Sequence, residues 1–154
     1  MKKTELLERV RAAHGEMERA LEGLSEEEAT HPGLNPNWSV RDALSHVVAW
    51  EVEAANAIEG IRAGTYAPPR FDKDSIDLFN EAAVGERRGR TFAEVRAEFD
   101  EAHRRLTGVL EALPEEVEER TPVYKFAEGA GFKHLSHHAA QIAEWKKNNV
   151  GRES

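Results

Sequence analysis

Apolar residues recur every three or four positions through four long segments of the chain, between polar and charged residues. This spacing is typical of amphipathic α-helices, which place one face against a core and the other toward solvent. No segment shows the alternating pattern of a half-buried strand. We therefore predict an all-α protein. Its four long helices are expected at residues 4–24, 39–64, 91–113 and about 132–149.

Helix start and stop signals support this interpretation. Residues 25–28, 39–42 and 91–94 each place a Ser or Thr three positions before an acidic residue, as in the capping box of a helix N-terminus. The first box predicts a single short turn, and the other two begin the second and third helices. Thr4 is the expected N-cap of the first helix, and Gly64 is expected to end the second.

The connection between the second and third helices is long, from residue 64 to residue 91, and holds a short helical segment at residues 74–84. Such a link can cross the length of a bundle, so these two helices are expected to run parallel. A further irregular stretch is predicted at residues 115–131. Because one hydrophobic core is the norm at this length, we predict a single four-helix-bundle domain over residues 1–154.

Charge and composition limit the partners and the metal ligands that the protein can have. The formal net charge is -8 and basic residues are interspersed with acidic ones, so a nucleic acid would be repelled. No segment has the apolar run of a signal peptide or a membrane span, which predicts a cytoplasmic protein without a membrane partner. The chain contains no Cys, so any metal site must use nitrogen and oxygen ligands.

Histidines carry the strongest chemical signal. His134 and His138 are one helical turn apart and flank the apolar line of the fourth helix, so both imidazoles are expected to point inward. His46, at the edge of the apolar face of the second helix, would lie near them in a small bundle. Three imidazoles can bind a divalent metal and leave a coordination position open, as catalytic sites do. The alternative is that these histidines hydrogen-bond to neighbouring carboxylates in the core.

Glu51 is a further candidate for a functional residue, whereas the four remaining histidines are not. Helical phase places Glu51 in the middle of the apolar stripe of the second helix. It is a candidate catalytic residue that orients a ligating histidine or accepts a proton. An ion pair with a neighbouring helix is the alternative. Four histidines are interpreted as exposed, border or loop residues without a function: His14, His31, His103 and His137.

Two segments resemble a known family. WSVRD at 38–42 with LSHVVAWE at 44–51, and HLSHHAAQI at 134–142, look like the second-helix and fourth-helix patterns of the DinB-like superfamily. The resemblance implies an up-down-down-up four-helix bundle. It also implies a divalent metal, commonly nickel or zinc, bound by His46, His134 and His138. Members of that superfamily include transferases and isomerases that use low-molecular-weight bacterial thiols.

Within that superfamily, three features are similar to the branch of colibactin self-resistance proteins. They are the Leu-Ser-Glu-Glu-Glu segment at residues 24–28, the Trp-Glu pair at residues 50–51 and the spacing of Asp77 and Asn80. That branch often departs from the three-histidine pattern, whereas this chain keeps it. The resemblance therefore favours a metal-dependent function over a metal-free resistance mechanism.

Three hypotheses follow. The first is a metal-dependent small-molecule transferase or hydrolase, with a thiol as one candidate substrate. The second is a non-enzymatic protein that binds or sequesters a small molecule in stress or self-resistance, and a homodimer is compatible with it. The third is a structural bundle in which the histidines and Glu51 satisfy each other. No residue identifies the substrate.

Overall fold

The structure, a computed structural model, describes residues 1–150. Within that range the chain is helical and forms no strand, which confirms the predicted all-α class. A π-helical turn, Gly129–Lys133, joins the last two helices. The α-helices are α1 (Lys3–Leu21), α2 (Glu26–Thr30), α3 (Val40–Ala63), α4 (Lys73–Arg87), α5 (Phe92–Glu111), α6 (Pro122–Glu128) and α7 (His134–Asn149).

The four long helices that the apolar pattern predicts are α1, α3, α5 and α7. The most extensive contacts join α3 to α5 and α1 to α7, while α4 packs on α3. Their apolar faces meet in one hydrophobic core. Residues from each of the four are fully buried in it: Leu6, Val10, Leu44, Val47, Phe99, Leu106, Leu135 and Ile142. The relative helix directions of the up-down-down-up arrangement stay a prediction.

Helix ends follow the predicted signals at most positions. The capping boxes at 25–28, 39–42 and 91–94 all form, and Gly64 ends α3 in the left-handed region with φ of 75°. Thr4 is not the N-cap of α1, which begins at Lys3. Hydrogen bonds from a distant segment set this start, because the Lys3 amide donates to the Glu115 carbonyl at 2.8 Å.

The two connections are more helical than the pattern predicts. The segment expected at 74–84 extends to Lys73–Arg87 and is capped by the Asp72 side chain. The stretch predicted to be irregular, 115–131, contains α6 and most of the π turn, so that part of the prediction is wrong. Gly129 and Gly131 resemble a helix stop in the sequence. The backbone at Gly129 nevertheless remains right-handed and helical, and the helix continues through it into α7.

The second of those glycines has a packing role. A Cβ atom at Gly131 would lie 3.0 Å from Cγ2 of Val10 on α1. The absence of a side chain therefore lets the π turn approach α1 closely. This contact fixes the position of the segment that leads directly into His134.

Candidate metal centre

The structure brings the three predicted histidines together. His46 lies two turns into α3, and His134 and His138 lie in the first two turns of α7. The Nε2 atoms of His46 and His134 are 2.7 Å apart, and those of His134 and His138 are 3.1 Å apart. One ring nitrogen of each histidine lies within 4.8 Å of those of the others. The three Nε2 atoms therefore face a common point between α3 and α7.

Local structure determines where each of the two helices that carry these histidines begins. The buried Ser39 and Asp42 cap α3 through reciprocal hydrogen bonds of 3.1 and 3.2 Å, which sets where His46 falls. The Trp38 ring packs against the His46 ring with centroids 5.0 Å apart. The π turn ends immediately before His134. A π turn within an α-helix is often found at functional sites, and here it sets the phase of α7.

The hydrogen-bond pattern leaves one histidine contact unsatisfied. Nδ1 of His138 lies 2.9 Å from Oε1 of Gln141, so it carries the proton and donates it. Nε2 of His138 is then an acceptor, and the only proton that His134 can offer it is on Nε2. A protonated Nε2 of His134 has no lone pair that could accept a hydrogen bond from His46. With this orientation of Gln141, therefore, only one of the two contacts of His134, with His46 or with His138, is a good hydrogen bond.

The imidazoles are in the state that binds metals. Burial and the adjacent His46 lower the pKa of His134 to about 3. Burial and His138 lower the pKa of His46 to about 4, against a smaller opposite effect of Asn80. Burial also lowers the pKa of His138. All three are therefore neutral at pH 7, as a metal-ligating imidazole must be.

These residues fit a divalent metal. Two ligands that each lie 2.0–2.1 Å from a tetrahedral zinc ion are about 3.3 Å apart. The observed separations of 2.7 and 3.1 Å require the rings to move apart by only a few tenths of an ångström. A cation at their common point would also accept all three lone pairs, including the one left without a donor. Nickel suits the same imidazole ligands.

A cavity opens beside the histidines. Its volume is about 560 Å³, and His46 and His134 form part of its wall. The rest of the lining is mostly apolar, with a few polar groups: Trp50, Ile76, Asn80, Lys125, Phe126, Gly129, Ala130 and Lys133. Trp50, which pattern alone places in the core, is half-buried and donates its indole N–H to Asn80 Oδ1 at 2.8 Å. This size and lining suit a small organic molecule.

Glu51 is fully buried, as its helical phase predicts, but it does not join the histidine cluster. Both of its carboxylate oxygens lack a hydrogen-bond partner. Burial raises the pKa of this carboxyl well above its ordinary value. An uncharged carboxylic acid in the core is the physical consequence, so the catalytic role of Glu51 stays a prediction.

Two of the histidines that were assigned no function are not exposed. His14 on α1 and His103 on α5 are half-buried and stack on each other, with ring centroids 3.8 Å apart. The exposure predicted for them is therefore wrong, because α1 and α5 pack closely at this level. In the sequence, the i, i+4 spacing of His14 and Glu18 indicates that their side chains can interact on one face of a helix. His31 is exposed, as predicted, and His137, which was predicted at the border of its helix face, is exposed as well.

No helix in the described part of the chain is long and apolar enough to cross a membrane.

Solved structures show the same fold at low sequence identity. The sibling lethal factor precursor DfsB has a TM-score of 0.84 at 15% identity, over 100% of this chain and 99% of that one. The colibactin self-resistance protein ClbS, solved with double-stranded DNA, has a TM-score of 0.83 at 12% identity, over 95% and 96%. An uncharacterised protein from Clostridium difficile 630 has a TM-score of 0.82 at 14% identity, over 97% and 98%.

Family membership rests on a sequence match over most of the chain. No curated protein matches this chain significantly. The model of the mycothiol maleylpyruvate isomerase N-terminal domain matches residues 10–140. This match agrees with the DinB-like resemblance and with the DfsB and ClbS folds. The chain therefore belongs to the mycothiol maleylpyruvate isomerase N-terminal domain family, within the DinB-like superfamily.

Proposed function

We propose that this protein is a divalent-metal-dependent enzyme that acts on a small organic molecule, as a transferase or a hydrolase. His46, His134 and His138 would hold the metal, with nickel or zinc as the preferred ion. The observation that carries the proposal is the convergence of three neutral imidazole Nε2 atoms beside a mostly apolar cavity, whose wall includes His46 and His134.

The chemistry divides between the metal and the protein. When bound, a divalent ion at this position would lower the pKa of a water molecule or a substrate thiol and so supply a nucleophile at neutral pH. Trp50 and Phe126 would bind the apolar part of the substrate and exclude water. Lys125 and Lys133 would attract an anionic group, because both ammonium-bearing residues line the same cavity.

A thiol-dependent reaction is the form of this proposal that the family supports. The matching family model carries the name of a mycothiol-dependent isomerase domain. A thiol can enter as the nucleophile when its proton is lost, and a divalent ion held by the three imidazoles would stabilise the resulting thiolate.

Activity with and without metal tests the proposal. Protein loaded with nickel or zinc would be assayed for thiol transfer to a chromogenic aryl halide and for ester hydrolysis, with cysteine, coenzyme A, glutathione and mycothiol as donors. We expect a metal-dependent rate that falls at least about tenfold in His138→Ala, while His137→Ala retains it. His137 is the matched control because it adjoins the cluster but is exposed. Equal rates in loaded and chelated protein would refute metal dependence.

A second candidate is a binding protein that sequesters a small molecule. The observation that favours it is the shared fold with DfsB and with the colibactin self-resistance protein ClbS. In this case the cavity holds the ligand and turnover is absent. Thermal shifts with a panel of thiols and electrophiles separate the candidates: stabilisation that persists in His138→Ala favours sequestration, and stabilisation that is lost with the histidine favours the metal enzyme.

Nucleic acid is not part of the proposed function. ClbS was solved as a complex with double-stranded DNA, whereas this chain has a net charge of -8, which opposes binding to a phosphate backbone. We expect no shift of a labelled 20-base-pair duplex at physiological salt. Binding that weakens with added salt would contradict this expectation.

A further inference from the structure

A second cluster of possible ligand atoms lies between α1 and α5, on helices other than those that carry His46, His134 and His138. His14 and Glu18 are one turn apart on α1, and Asp100 lies on α5. Nε2 of His14 is 3.7 Å from Oε1 of Glu18 and 3.6 Å from Oδ1 of Asp100. One donor atom of each residue lies within 4.8 Å of those of the other two.

These separations are longer than hydrogen bonds and match those of ligands around a shared ion. A hydrogen bond between nitrogen and oxygen normally spans 2.7–3.2 Å. Nitrogen and oxygen ligands at 2.0–2.2 Å from a tetrahedral zinc ion are about 3.3–3.6 Å apart. Nε2 of His14 therefore lies at about the distance from both carboxylate oxygens that ligands of a shared cation would have.

One oxygen of Glu18 is directed into the cluster and has no partner there. Oε1 of Glu18 is buried and makes no hydrogen bond, whereas Oε2 accepts one from Nη2 of Arg96 at 3.1 Å. The arginine thus orients the carboxylate and leaves the second oxygen toward His14. Burial and then the nearby Asp100 carboxylate raise the pKa of Glu18. A divalent cation would offset this crowding of like charges.

The imidazole of the cluster is held in one orientation. The His14 ring stacks on the Phe99 ring at 4.6 Å between centroids and on the His103 ring at 3.8 Å, with interplanar angles of 21° and 14°. These stacks restrict rotation of the ring, so Nε2 stays directed toward the two carboxylates. An oriented donor loses little conformational freedom when it binds an ion.

We propose that His14, Glu18 and Asp100 form a second divalent-cation site, which joins α1 to α5. One imidazole nitrogen and two carboxylate oxygens suit zinc, and manganese or cobalt as alternatives. Asp100 is half-exposed, so solvent water can complete the coordination. The site shares no ligand with the three-histidine cluster, and a bound ion would act as a cross-link between two long helices.

Zinc content after dialysis against micromolar zinc tests this proposal independently of the proposed function. We expect about two ions per chain in the wild type, about one in Asp100→Asn, about one in His134→Ala and almost none in the double variant. Glu18→Gln, which keeps the side-chain shape, should lose the same ion as Asp100→Asn. Glu101→Gln is the matched control, since Glu101 is exposed and pairs with Arg104 instead.

Two results would overturn the second site. One is a zinc content in Asp100→Asn and Glu18→Gln equal to that of the wild type. The other is a wild type that binds a single ion, lost entirely in His134→Ala. Failure of the three-histidine site looks different, because His134→Ala would then keep the wild-type content.

Thermal unfolding gives a second measurement of the same site. Zinc should raise the unfolding temperature of His134→Ala, since an ion that binds only the folded state stabilises it. The same addition should leave the double variant unchanged. Equal shifts in both proteins would contradict the site.

Discussion

Glu51 allows a quantitative test of the buried core of α3. Its side chain is fully buried and both oxygens lack partners. A neutral polar group buried without a hydrogen bond costs about 1–3 kcal/mol. Glu51→Met replaces the carboxyl with an unbranched apolar side chain of similar length, so we expect a gain of about 1–3 kcal/mol in the free energy of unfolding at pH 5. For a chain of this size that gain raises the unfolding temperature by roughly 2–12 °C.

The pH dependence of that gain has a definite sign. The folded-state pKa of Glu51 is raised above its ordinary value of 4.5, so the folded protein favours the protonated form. Stability from this group is present below pH 4.5 and is lost as the pH rises toward the folded-state pKa. The advantage of Glu51→Met should therefore grow by up to about 1.4 kcal/mol per pH unit between pH 4.5 and the folded-state pKa, and stay constant above it.

Urea unfolding of both proteins between pH 5 and pH 8 measures the effect. Glu59→Met is the matched control on the same helix, because the Glu59 side chain is 54% exposed and pairs with Arg105. Its effect should stay within about 1 kcal/mol at every pH. A Glu51→Met protein that is less stable than the wild type at pH 5, or a gain that does not change with pH, would refute the reasoning. Full activity in this variant would also rule out a catalytic role for Glu51.

Three further predictions concern the elements that position the histidines. Ser39→Ala should lower the free energy of unfolding by about 1–2 kcal/mol in urea, since it removes a buried N-cap; an unchanged midpoint would contradict the capping role. Gly131→Ala should destabilise the protein by about 1–3 kcal/mol because its Cβ would meet Val10. Gly129→Ala, with open space around its Cβ, should instead raise the unfolding temperature slightly. A loss of stability in both glycine variants would mean that the π turn itself, rather than the contact with α1, requires glycine.

Local signals in the sequence are sufficient for most of the fold. The apolar period predicts α1, α3, α5 and α7, and the capping boxes locate the starts of α2, α3 and α5 to the residue. These features depend on side chains within four residues of each other, which a sequence displays directly. The start of α1 and the continuity of α6 into α7 depend on contacts with distant segments. Periodicity does not contain that information.

The candidate site likewise combines features that the sequence predicts with features that depend on tertiary contacts. Helical phase is enough to predict that His134 and His138 share a face. His46 lies at the edge of its apolar face, so its assignment depends more on the resemblance to DinB-like proteins. The contact of His14 with Asp100 could not be predicted, because it depends on how α1 packs against α5. The cavity beside the cluster is formed by residues from α3, α4, α6, the π turn and α7, so no single segment indicates it.

The central claim is that His46, His134 and His138 bind one divalent ion. The zinc K-edge X-ray absorption spectrum of Asp100→Asn protein loaded with one equivalent of zinc tests it most directly. The account predicts nitrogen and oxygen neighbours at about 2.0–2.1 Å, with outer-shell scattering from three imidazoles that falls to two in a His46→Ala derivative. A spectrum without imidazole scattering, or one that His46→Ala leaves unchanged, would contradict the claim.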